Sequence, residues 1–106
     1  MLTQRHELDE MLEILCDRRR RRVLVALLKR TADTQARGTV GLGEVVETDS
    51  ERAQMVHCHL PKLDETGYVN WNRNEATVST GPEWDALESL LRAIIEHRRE
   101  LPGDLT

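Results

Sequence analysis

Glu51-Arg52-Ala53-Gln54-Met55-Val56-His57-Cys58-His59-Leu60-Pro61-Lys62-Leu63-Asp64-Glu65-Thr66-Gly67-Tyr68-Val69 is the stretch whose reading decides the fold. Ala53, Val56, Leu60 and Leu63 recur at three- and four-residue spacings, which predicts an amphipathic helix over residues 51–66. The turn Thr48-Asp49-Ser50 precedes it, with Asp49 or Ser50 as the cap and Glu51 suited to the helix dipole. Gly67 is expected to end the helix in the left-handed conformation. Two short strand candidates follow, 68–71 and 76–79, around the turn Asn72-Arg73-Asn74-Glu75. Pro61 is the exception, because it removes an amide donor and crowds the carbonyl of His57. A kink, or division into two shorter pieces, is expected there.

Outward from this stretch, the chain reads as helical. Leu8, Met11, Leu12 and Leu15 share a helical face over residues 8–16, and Cys16 beside them is expected in the core. Asp17 suits the cap of a second helix, about 18–31, which turns Val23, Leu24, Leu27 and Leu28 inward. Residues 31–43 read as a loop, followed by a short helix around 43–47 with Leu42, Val45 and Val46 inward. Gly81-Pro82 breaks the chain before a last helix, about 82–99. There Trp84, Leu87, Leu91 and Ile94 form a stripe widened by Leu90 and Ile95. There is no internal repeat, low-complexity segment or second domain.

Composition sets limits on what this chain can be. Its 106 residues make one domain near the small end of self-sufficient cores. Hydrophobic residues are 39% of the chain and Phe is absent, so the core must rely on aliphatic side chains and would gain from a dimer interface. No apolar run approaches the ~20 residues needed to span a bilayer, and no signal peptide is evident, so a cytoplasmic protein is expected. Cys16 and Cys58 do not make a disulfide framework and are expected to be free thiols. Arginine outnumbers lysine by 13 to 2 within a net charge of −4, a bias common in salt-loving microbes. The charge is segregated: −4 over residues 1–17, +3 over 18–81 and −3 over 82–106. An acidic chain can still present a basic face to phosphate.

Subtracting the apolar side of the 51–66 helix leaves Glu51, Gln54, Met55, Cys58 and Lys62 outward, flanked by His57 and His59. Gln can read adenine, Lys can meet guanine or phosphate, and Met can touch a thymine methyl. Arg52 belongs to the same surface, and Arg73 at the hairpin tip is placed to reach a DNA backbone. The run from Arg18 to Arg22 fans around its helix, so only two or three of its members can share a face. Those can contact phosphate, or form ion pairs with the acidic first helix. His57-Cys58-His59 points in three directions about 100° apart and does not make a metal site. No phosphate loop, nucleophile elbow or His-Glu-x-x-His is present, so no enzyme and no cofactor are expected.

Two motifs carry a resemblance. Residues 15–24, Leu15-Cys16-Asp17-Arg18-Arg19-Arg20-Arg21-Arg22-Val23-Leu24, look like the opening of helix two in ArsR-like winged helix-turn-helix regulators. Residues 59–69 are similar to that family's recognition-helix ending, His-Leu-x-x-Leu-x-x-x-Gly-Leu-Val. The match covers about residues 8–98, and the chain most resembles the small winged-helix proteins of halophilic archaea.

The resemblance implies a mainly α domain over 1–106 with a small β-hairpin wing at about 67–80. It further implies N- and C-terminal dimerisation helices and a sequence-specific DNA-binding transcription regulator acting as a homodimer on double-stranded DNA. By position it assigns DNA contacts to Gln54, Met55, His57 and Cys58, where Met55 and Cys58 depart from the small hydroxyl or basic residues usual there. Trp84, Leu87, Leu91 and Ile94 become the expected dimer interface. Asp85, His97 and Glu100 match part of the last-helix metal set, but Leu87 stands where another ligand would be. Two alternatives stay open: a winged-helix module that binds protein and not DNA, and a regulator responsive to thiol oxidation or metal.

Overall fold

Asp17 separates the first two helices. In the computed structural model, which describes residues 2–34 and 38–105, α1 spans Leu2–Leu15 and α2 spans Arg18–Thr34. The Asp17 carboxylate accepts the backbone N–H of Arg19 at 2.8 Å, satisfying one of the free amides of the first turn. Val23, Leu24, Leu27 and Leu28 of α2 are buried as their spacing predicts. On α1 the inner face is Met11, Ile14 and Leu15. Leu8 and Leu12 lie about 60–100° round from it and remain 47% and 51% exposed. Cys16 is exposed, not in the core as its neighbours suggested.

The expected loop at 31–43 is shorter than it reads. The second helix continues to Thr34, and β1, Thr39–Gly41, occupies its far end. Residues 35–37 of that loop lie outside the described residues. A three-residue strand with one apolar side chain, Val40, carries almost no periodic signal, so tertiary pairing alone defines it. The short helix expected at 43–47 is a single 3₁₀ turn, Leu42–Glu44, with Leu42 and Val45 buried.

The hairpin forms within one residue of expectation. Strand β2, Val69–Asn72, and strand β3, Thr77–Thr80, pair antiparallel with Val69 opposite Thr80 and Trp71 opposite Val78. β1 adds to the other edge of β3, with Val40 opposite Val78, giving a three-stranded sheet in the order β1-β3-β2. Its inner face carries Val40, Val69 and Val78, all buried against the helices. Two glycines hold its base. Gly67 adopts φ 85°, closing the preceding helix, and a Cβ on Gly81 would lie 2.3 Å from the Gly67 carbonyl oxygen. No other residue fits at Gly81 without moving the backbone.

Residues 49–66 form a continuous helical segment containing one wide turn. α3, Asp49–Gln54, is followed by a π turn, Met55–His59, and by α4, Leu60–Thr66. The Leu60 N–H donates to the Met55 carbonyl, five residues back. Pro61 supplies the reason: it cannot donate to His57, and its ring would crowd that carbonyl in a regular helix. A π turn widens the ladder there, so Pro61 neither splits the helix nor forces an uncapped break. The extra residue rotates everything N-terminal to it. Met55 and His59 therefore face inward with Leu60 and Leu63, while Ala53 is exposed. The cap is Thr48, whose Oγ1 accepts from Glu51 N at 3.1 Å, and not Asp49 or Ser50.

The last helix, α5, spans Trp84–Glu96 and buries Trp84, Leu87 and Leu91 in the chain's own core. The expected dimer stripe is thereby corrected. Side chains already removed from water within one chain offer no surface to a second, and only Ile94 of the four stays half-exposed. Among the described residues, no helix is long and apolar enough to cross a membrane.

Candidate nucleic-acid interface

The wide turn is fixed from beneath by a buried polar cluster. Arg20, 6% exposed, turns inward from the five-arginine run. Its Nε donates to the Ile14 carbonyl at 2.8 Å and its Nη2 to the Glu13 carbonyl at 2.9 Å, satisfying two acceptors at the end of α1. Nη1 lies 3.2 Å from Nδ1 of His59. A guanidinium only donates, so Nδ1 is the acceptor and the imidazole proton sits on Nε2, facing Asp17 Oδ1 at 3.8 Å.

Burial is the main influence lowering the His59 pKa, and Arg20, Arg19 and Lys62 push the same way against the opposing charge of Asp17. His59 is therefore neutral at neutral pH, and at 3.8 Å its contact with Asp17 is neither an ion pair nor a hydrogen bond. The Asp17 carboxyl, raised by partial burial, is nonetheless held below its usual value by the Arg19 amide and by His59 and Arg20. This cluster ties α1, α2 and the Met55–His59 turn together. The one sign of it in the residue pattern is Pro61, whose missing amide underlies the π turn that brings His59 inward.

Above the cluster, Arg52, Gln54, His57 and Cys58 are all exposed. Met55, expected among them, is 2% exposed and packs in the core, so it cannot meet a base. The same rotation causes this correction. Lys62 is half-buried, with Nζ 2.6 Å from Glu13 Oε1 on α1, and the pairing holds the Glu13 carboxyl below its ordinary pKa. The pair offsets the Lys62 charge within the chain, though both side chains remain partly exposed to solvent. Arg73 is exposed in the turn between β2 and β3, where Asn72 Oδ1 accepts from Glu75 N at 3.1 Å and Ala76 takes φ 54°. Trp71 N donates to Asp64 Oδ2 at 2.8 Å, joining the start of the hairpin to α4.

No family model, curated protein or solved structure matches this chain.

The rest of the arginine run divides by direction. Arg18 and Arg19 are exposed, and Arg22 sits 3.5 Å from Glu51 Oε2 at the start of α3. With Asp17, these groups line an open cleft of about 360 Å³ beside the 49–66 segment. The Glu51 carboxyl is lowered first by the Glu47 amide and then by Arg22, so it remains ionised. Arg52 and Arg73 have no ion pair among the described residues and are the available cations of the 49–80 region. Asp85 is about 18 Å along α5 from His97, given 1.5 Å per residue, so the two cannot share one ion within a chain. Among the described residues no three His, Cys, Asp or Glu side chains are grouped to hold a metal.

Proposed function

We propose that this protein is a winged helix-turn-helix DNA-binding transcription regulator of ArsR-like type, acting as a homodimer. One observation carries the reading: residues 49–66 form a helical segment held from below by Arg20 and His59 and tied through Asp64 to a hairpin. Its outer side offers Arg52, Gln54, His57 and Cys58, with Arg73 at the hairpin tip. A helix of that kind suits a major groove, with the β2–β3 hairpin as the wing on the adjacent backbone. Gln54 is the best adenine reader on this surface, and Arg52 and Arg73 are phosphate or guanine contacts.

With Met55 inside the core, His57 and Cys58 carry little direct code. Specificity then rests on Gln54, Arg52 and the shape of the DNA. The two-fold symmetry of a dimer asks for a roughly palindromic operator with half-sites about one helical turn apart.

The Lys62–Glu13 pair favours a second reading, a winged-helix module that binds a protein partner, because it removes one cation from the face. A polarisation titration against duplex DNA from upstream of its own reading frame separates the two. The expected result is binding that weakens as salt rises and is lost in the Arg52→Glu, Arg73→Glu double variant. Undetectable binding, or binding indifferent to salt, sinks the DNA reading.

A further inference from the structure

A cavity of about 250 Å³ opens where residues 101–105 cross the ends of α1, α2 and α5. Leu15, Ile94, Leu101 and Leu105 form its aliphatic walls, and the charged residues lining it are Arg21, Arg98 and Asp104. Arg21 is half-buried. Its Nε donates to the Leu105 carbonyl at 2.6 Å and its Nη1 to the Leu15 carbonyl at 2.7 Å. Arg98 Nη1 donates to the Ile95 carbonyl at 3.0 Å.

Neither guanidinium has a carboxylate within ion-pair distance among the described residues, whereas Arg22, Arg30, Lys62 and Arg92 each have one. Against the single carboxylate of Asp104, which pairs with neither, the two cations leave the lining net positive beside aliphatic walls, and this matches a ligand that is anionic at one end and apolar along its length.

We propose that this cavity binds a small aliphatic carboxylate of about eight carbons, its head on Arg21 and Arg98 and its chain against Leu15, Ile94 and Leu105. The volume lies just below the ~300–1,000 Å³ usual for ligand pockets, which suits a molecule of this size and excludes a large cofactor. The absence of aromatic walls favours an alkyl chain over a ring. The Leu105 carbonyl already occupies the place of one acceptor oxygen, and a carboxylate makes the stronger, charge-assisted bond to a guanidinium.

Arg21 holds the last carbonyl of α1, and its neighbour Arg20 holds the two before it together with His59. Both arginines therefore bind the same helix end, one beside the cavity and one beneath the wide turn.

The test is an NMR titration of the full chain with sodium octanoate, alongside octanol and acetate. Saturable shifts at Leu15, Ile94 and Leu105 with octanoate, weaker by about tenfold or more with either control, are expected. Arg98→Gln, at the exposed end of the cavity, should weaken octanoate about tenfold while leaving the free protein's spectrum otherwise intact. No saturable shift, equal binding of octanol, or unchanged affinity in Arg98→Gln overturns the proposal. Because no DNA is present, failure here says nothing against the DNA reading, and success does not depend on it.

Discussion

Protonating His59 turns an acceptor at Nδ1 into a donor aimed at the Arg20 guanidinium 3.2 Å away, with a second positive charge beside it. Burial and the surrounding cations lower its folded-state pKa from 6.5, so the unfolded chain binds this proton more readily. Stability from this site is therefore fully present above about 6.5 and is lost as pH falls from there towards the depressed folded value. Thermal unfolding between pH 7.5 and 5 should show this decline. His59→Gln should flatten it, since the amide oxygen accepts from Arg20 and its NH₂ faces Asp17 at any pH. An unchanged slope in the variant would assign the response to other groups. Met55 makes the complementary case. Its substitution by Ala should cost about 2–5 kcal/mol of stability, as for other buried truncations, and leave DNA affinity of the folded protein unaltered. Chemical denaturation together with a DNA titration above the point of full folding checks both halves.

At the scale of elements, the helix–glycine–hairpin unit was legible because each part has local chemistry: periodicity, a left-handed Gly67, and two strands around an Asn-rich turn. The strand Thr39–Gly41 was not, since it exists only by pairing with Thr77–Ser79. The facing of residues 51–56 differs from what a regular helix predicts for a definite reason. An uninterrupted 100° step per residue puts Ala53 in and Met55 out, and the extra residue of a π turn reverses them. The proline itself was the available signal, because a helix that must pass Pro61 has to dispose of the His57 carbonyl.

The wide turn should nevertheless survive without its cause. In Pro61→Ala the restored amide permits a regular helix, but closing the turn would swing Met55 out of the core and detach His59 from Arg20. Burial therefore keeps the turn open. Methyl resonances of Met55 should stay at their buried positions in the variant, and a solvent-exposed Met55 would show that Pro61 alone holds the turn. Gly81→Ala should destabilise by about 1–3 kcal/mol or more, because its Cβ meets the Gly67 carbonyl and not a flexible side chain. Thermal unfolding measures that directly.

For the molecule as a whole, the balance of charge decides how the proposed DNA complex should behave. The chain carries −4 overall, Lys62 is spent on Glu13 and Arg22 on Glu51. Arg52 and Arg73 are the available cations of the 49–80 region, so two protomers bring four. Each phosphate neutralised contributes about −0.9 to the slope of log Kobs against log salt. Four contacts give a slope of about −3.6. If Arg18 and Arg19 also reach the backbone, eight contacts bring it to about −7.2. A salt series of polarisation titrations reads the number directly, and Arg18→Gln with Arg19→Gln should leave a slope of −3.6 unchanged but halve one of −7.2. Dimerisation enters the same measurement, since a monomer would show about half the slope. With Trp84, Leu87 and Leu91 committed to the chain's own core, a dimer must draw on what remains outside, notably Leu8, Leu12 and Ile94. Leu12→Glu is accordingly the variant expected to reduce both the sedimenting mass and the salt slope while leaving the fold intact. Leu91→Ala should instead lower stability by about 2–5 kcal/mol without changing the sedimenting mass of the folded chain. Were Leu12→Glu to remain dimeric and Leu91→Ala to dissociate while folded, the dimer would have to be built on α5 in spite of its buried face.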